Sequence, residues 1–196
     1  ETLRLMDVST TTPAAAQTIH SIRGRALSQL GRFDEARALL EPIVAGSPRP
    51  EEVLALLDSV EATAGISEAR SRAAQWTSTE AGWIEVASRR ALLDARDGAY
   101  TLARQALDRV VQIDSHRGRL LEAEIELASR HPGRAADVLG GLVHERPDDL
   151  RAADLYSTAL AESGDLDGAL AGLAALRKTR PGDVVSACSI RNRNLT

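Results

Sequence analysis

One ten-residue pattern returns along the chain at an almost constant interval. GRFDEARALL (Gly31–Leu40), GAYTLARQAL (Gly98–Leu107) and GDLDGALAGL (Gly164–Leu173) each open with Gly. Each then places an apolar residue two positions on, Ala five on and Leu nine on. The alanines are Ala36, Ala103 and Ala169, and weaker copies set Ala69 and Ala135 between them. Successive alanines lie 33, 34, 32 and 34 residues apart. A period of this size marks stacked supersecondary units, none of which can bury its apolar face alone.

Two further registers agree with it. Pro48, Pro147 and Pro181 stand twelve residues after Ala36, Ala135 and Ala169, with Ser115 in the same place after Ala103. Twelve residues before the alanines stand Gly24, Ala91, Ala123 and Ser157, all small. Each unit therefore reads as a helix with a small residue in its middle, a glycine turn, a second helix with an alanine near its start, and a proline-ended loop. Small residues let two helices approach closely, and proline stops the second helix because it has no N–H to donate. Aromatics make up only 3% of the chain, so the core is built from Ala, Leu, Val and Ile. That inventory suits close-packed helices better than sheets.

The pattern resembles the tetratricopeptide repeat, most closely in LSQLGRFDEARALLEPIVAGSP and LAESGDLDGALAGLAALRKTRP. The resemblance covers nearly the whole chain and implies an all-α, right-handed solenoid of about five helix-turn-helix repeats. These are placed at 16–48, 50–79, 80–115, 116–147 and 149–181. Residues 1–12 read as the tail of a preceding repeat, and 182–196 as the start of a further helix or a tail. Predicted helices run over 16–30, 34–45, 51–64, 67–76, 80–96, 100–113, 117–129, 134–145, 149–162 and 166–178. Two units depart from the pattern. The second has Leu57 and Ala73 where a small residue and a Leu are expected, and a shorter turn. The fourth has HPGR (His131–Arg134), which predicts a shifted turn. Local irregularity is expected at both.

The net charge is −4, with both signs interspersed and no basic block, so nucleic acid has no electrostatic attraction here. No apolar run is long enough to cross a membrane. Cys188 is the single cysteine and has no disulfide partner within the chain. The compartment stays open between bacterial cytoplasm and periplasm. The chain starts at Glu1 without a Met and shows no clear capping helix at either end, which suggests a piece of a longer array. Uncapped ends would also invite self-association.

No catalytic, cofactor or metal site is expected. His20, His116, His131 and His144 form no paired metal spacing. GDLDG and RPDD lack the further oxygen ligands of a calcium loop, and Asp165 and Asp148 read instead as helix N-caps. Trp76 and Trp83 flank the junction between the second and third units. They are either packing that fills the irregular repeat or aromatic anchors for a partner.

The resemblance implies that the first helix of each repeat lines a concave groove. The side chains then predicted to meet a partner are Arg25, Gln29, Asp58, Glu85, Arg89, Arg96, Arg117, Glu124, Asp154 and Thr158. Ser21, Glu51, Glu61, Ser88, Leu120 and Arg151 lie beside them. Arg89 and Arg96 stand out as contacts for an anion or carboxylate. A chaperone carboxylate clamp of the kind found in this family is not expected, because the only asparagines are Asn192 and Asn194 in the tail. The reading that results is a non-catalytic scaffold binding a peptide or protein. It would belong to a larger bacterial protein, such as an envelope, polymer-secretion or complex-assembly scaffold. The alternatives are the ligand-sensing half of a regulator, or an enzyme on a helical scaffold.

Overall fold

The structure is a computed structural model that describes residues 13–76 and 83–179, with backbone alone for 13–14 and 176–179. Among the described residues it is entirely helical. The helices are α1 (Pro13–Gln29), α2 (Phe33–Gly46), α3 (Pro50–Ala64), α4 (Ile66–Ala73), α5 (Ile84–Arg96), α6 (Tyr100–Ile113), α7 (Ser115–Ala128), α8 (Pro132–Glu145), α9 (Leu150–Ser163) and α10 (Leu166–Thr179). Every predicted helix exists. The described fifth helix begins at Ile84, with Trp83 just before its first turn, and its predicted residues 80–82 lie outside the described residues. The predicted tails, 1–12 and 182–196, lie outside the described residues.

The chain forms two compact units, Glu1–Ala99 and Tyr100–Thr196, divided between the two helices of the predicted third repeat. In the first unit each helix packs on the next, and α3 touches both α1 and α5. The second unit repeats this from α6 to α10, with α7 against α9. The periodic residues are what the packing uses. Ala36, Ala69, Ala103 and Ala135 are fully buried and Ala169 nearly so. Gly24, Ala91, Ala123 and Ser157 are buried as well. A methyl group on Gly24 would come within 2.7 Å of Leu40 Cγ. The small residue therefore makes room for the Leu four places beyond the alanine. In the second repeat the sizes are exchanged: Leu57 and Ala73 hold the places of Gly24 and Leu40, and both are fully buried in one cluster. The large residue of the pair thus sits on the first helix and the small one on the second, the reverse of Gly24 and Leu40.

The turns follow a common design. Arg32, Ala99, His131 and Asp165 each donate a backbone N–H to a carbonyl five residues earlier, on Leu27, Asp94, Glu126 and Leu160. This closes the first helix of the pair in a Schellman-type motif that needs a left-handed residue. Gly31, Gly98 and Gly164 supply it, with φ of 75°, 81° and 95°. In the fourth repeat Arg130 occupies the same place at φ 62°. The turn there is not shifted, contrary to the reading of HPGR; a non-glycine residue accepts the left-handed conformation instead. The second repeat has the short turn expected, a single residue, Gly65, between α3 and α4.

Two local readings need correction. Asp149, not Asp148, caps α9, accepting from the N–H groups of Arg151 and Ala152 at 3.0 Å. Asp165 does cap α10, accepting from Gly168 N–H at 2.9 Å. Pro42 lies inside α2 and has no N–H for the carbonyl of Ala38. Both residues are exposed, so water can take the freed carbonyl.

Candidate functional site

The first helices, α1, α3, α5, α7 and α9, carry the predicted partner-binding side chains. In the first unit Arg25 and Gln29 are exposed along α1. On α3 and α5 the structure brings four of the singled-out residues together. Arg89 Nη2 stands 2.6 Å from Asp58 Oδ1 and 2.6 Å from Glu61 Oε2, and Arg96 pairs with the other oxygen of Glu61. The two arginines expected to greet an outside carboxylate are therefore already held by two carboxylates of the neighbouring repeat. The Asp58 side chain is 52% exposed. Even so, crowding strips enough water to push its carboxyl above the usual range, against the pull of Arg89. Glu85 is half-buried on α5, and Ser88 bonds back to the Ile84 carbonyl at 2.7 Å.

In the second unit the same kind of pairing joins α7 to α9. Arg151 Nη2 reaches Glu124 Oε1 at 2.6 Å. Arg117 is half-buried near the start of α7, and Asp154 and Thr158 are half-buried on α9, with Thr158 Oγ1 donating to the Asp154 carbonyl at 2.9 Å. His116 Nε2 lies 2.7 Å from Asp149 Oδ2, tying the start of α7 to the cap of α9. Burial alone would raise the Asp149 carboxyl. The N–H of Ala152, the His116 imidazole and the N–H of Arg151 outweigh burial and hold it below its ordinary value.

Trp76 and Trp83 are half-buried, and both pack against the core of the first unit. The histidines gather no metal-binding set, and among the described residues no group of three His, Cys, Asp or Glu side chains is placed to hold a metal. No described helix is long and apolar enough to cross a membrane.

Sequence reasoning named the members of the ion pairs but missed the pairing. The signal was present: Arg89 and Glu61 are 28 residues apart, and Arg151 and Glu124 are 27 apart. Opposite charges at slightly less than one repeat face each other across adjacent first helices. A second set joins second helices to their neighbours. Arg72 bridges Glu41 at 2.8 Å and Glu68 at 2.9 Å, and Arg70 bridges Asp94 at 2.6 Å and Asp97 at 2.9 Å. For Glu41, burial works upward, but Arg72 and Arg37 prevail and lower its carboxyl.

Helical hairpins repeating every 32 to 34 residues, with a buried alanine in each and a buried small residue twelve places before it in all but the second, define a tetratricopeptide-type α-solenoid. Solved structures agree. A tetratricopeptide repeat protein from Parabacteroides merdae superposes with a TM-score of 0.67 at 15% identity, over 93% of this chain and 76% of that one. A thermophilic protein of the same repeat class from Thermus thermophilus gives 0.67 at 18% identity, over 92% and 100%. MamA of strain AMB-1 gives 0.52 at 17% identity, over 81% and 96%. No protein-family model and no curated protein sequence matches the chain. The chain thus has the tetratricopeptide-repeat fold.

Proposed function

We propose that the chain is a non-catalytic interaction scaffold that takes a peptide or protein along the faces of its first helices. The observation that carries this reading is the way those faces are built. Their charged side chains are fixed by pairing with the next repeat, as in Arg89 with Asp58 and Glu61 and in Arg151 with Glu124. Side chains held in one geometry lose little freedom when a partner binds. A partner meets a mixed-charge surface in which most cations already have anions. A segment that exchanges hydrogen bonds with these pairs suits it better than a strongly acidic one, which would have to displace Asp58 or Glu61 from Arg89. The net charge of −4 also speaks against nucleic acid as the partner.

In this reading the chain works within a larger bacterial protein, as an envelope, polymer-secretion or complex-assembly scaffold. The sensing half of a regulator would use the same faces for a small ligand. The two are separated by the parent gene: an export signal and outer-membrane partner for one, a DNA-binding or catalytic domain for the other.

The test is site-specific photo-crosslinking in lysate of the source bacterium. A photoreactive residue replaces Arg25, Gln29 or Thr158 on first helices, and Asp34, Arg134 or Asp137 on second helices. The scaffold reading expects one discrete protein adduct from the first set and none from the second. Adducts from the second set alone would sink it.

A further inference from the structure

An ion pair on a protein face can turn either member to solvent, and the two units differ in this. Between α7 and α9 the acid is the sheltered member: the Glu124 side chain is 15% exposed and Arg151 is 61% exposed. Between α3 and α5 the order is reversed, with Arg89 21% exposed and Asp58 52%. There the cation lies within the face and a carboxylate covers it from the outside.

The two carboxylates on Arg89 are held unequally. Glu61, 14% exposed, is tied by both oxygens, Oε2 to Arg89 and Oε1 to Arg96. Asp58 meets Arg89 Nη2 through Oδ1 alone. Loss of water raises the Asp58 carboxyl above its ordinary value, and the like charge of Glu61 on the same helix adds to this, against the pull of Arg89 on α5. The ionised form of Asp58 is thus poorly served where it stands. Arg89 has donors to spare: its guanidinium is a fork of N–H groups, its ion pairs both run through Nη2, and its Nε is buried with no acceptor. With Asp58 in place, two cations face two anions. With Asp58 turned away, Arg89 and Arg96 share Glu61, and the surplus positive charge is what a single carboxylate neutralises.

We propose that Asp58 is a built-in stand-in for a carboxylate of the partner: one acidic side chain of the bound segment displaces Asp58 from Arg89 and completes the node that Arg89, Arg96 and Glu61 form. The inference rests on the scaffold reading above and narrows it. The bound segment carries one acidic residue at this place rather than an acidic run, because a second would have to displace Glu61, which is held by both oxygens. While Asp58 covers Arg89, unrelated anions meet an occupied cation. Only a partner whose remaining contacts offset the exchange opens the site, so Asp58 contributes specificity rather than affinity.

The test is an NMR titration of the isotope-labelled chain with N-acetylaspartate methylamide at neutral pH. The reporters are the Arg89 Nε–H, which burial shields from exchange with solvent, and the backbone amides around Asp58 and Arg89. Wild type is expected to bind the probe weakly. Asp58→Asn and Asp58→Ser, both at an exposed position, are each expected to keep the helical circular dichroism and to bind about tenfold more tightly. Adding Arg89→Gln to Asp58→Asn should abolish that gain. Asp34→Asn on α2 removes the same charge and should leave the affinity at the wild-type level. Equal affinity of wild type and both Asp58 variants would overturn the proposal, as would a gain that survives Arg89→Gln or that Asp34→Asn reproduces. Any of these, with cross-links from Arg25 and Gln29 still formed, strikes this inference and leaves the scaffold reading standing. Cross-links confined to the second helices strike that reading, and this inference with it.

Discussion

The exchange of sizes in the second repeat can be made to happen in the first. Gly24 faces Leu40, which is fully buried. A methyl group at position 24 would lie 2.7 Å from Leu40 Cγ and 2.8 Å from Cδ2, about an ångström inside ordinary carbon contact. Leu40 has no solvent to move into. Gly24→Ala is therefore expected to cost about 1–3 kcal/mol of overpacking, offset by about 1 kcal/mol of helix propensity. Gly24→Leu should cost well beyond the upper end of that range. Leu40→Ala alone leaves a cavity worth about 2–5 kcal/mol. The double variant, Gly24→Leu with Leu40→Ala, recreates the arrangement of Leu57 and Ala73. It should lie within about 2 kcal/mol of wild type, with a coupling between the sites well above the few tenths expected of independent ones. Urea denaturation of the four proteins, followed by circular dichroism, measures this. Simple additivity would refute the compensated swap, and with it the claim that the small-residue register sets the distance between paired helices.

Other consequences follow from single positions. Arg130 holds a left-handed conformation that glycine adopts without strain, so Arg130→Gly should stabilise the second unit by about 1 kcal/mol, read as a higher urea midpoint with unchanged slope. Gly118→Ala should be more damaging than Gly24→Ala, because the added carbon meets the Val111 backbone Cα at 2.8 Å and backbone cannot rotate away; a thermal melt checks the order. Asp149 has its carboxyl lowered in the folded chain, so its share of stability is complete above the unfolded value of about 4 and is lost as the pH falls through the lower folded value. Asp149→Ala should therefore cost about 1 kcal/mol at neutral pH and flatten the acid limb of the stability curve, which wild type would retain.

Much of the fold was legible because close packing leaves few residue choices. Where two helices must touch, as at Gly24 against Leu40, only a small residue fits, and that constraint recurs in every repeat but the second, where Leu57 stands opposite the small Ala73. The glycine turns were legible for a similar reason, since a left-handed residue is required. The exceptions were physical as well. Arg130 shows that a turn can tolerate strain when the backbone hydrogen bond from His131 to Glu126 holds it. Asp148 and Asp149 are chemically alike, and only the turn geometry chooses between them as the cap. The candidate surface was half legible. Residues such as Asp58, Glu61, Arg89 and Arg96 could be assigned to first helices by register. That they bond to one another was not visible within any single repeat, because each pair spans two.

The measurement that bears most directly on the scaffold account is hydrogen exchange of the chain alone and with the partner captured by photo-crosslinking. The account predicts that bound partner slows exchange on α1, α3 and α5 of the first unit, or on α7 and α9 of the second, and leaves the exposed flanks of α2 and α8 unchanged. Protection confined to the second helices, with the first helices exchanging as before, would contradict it.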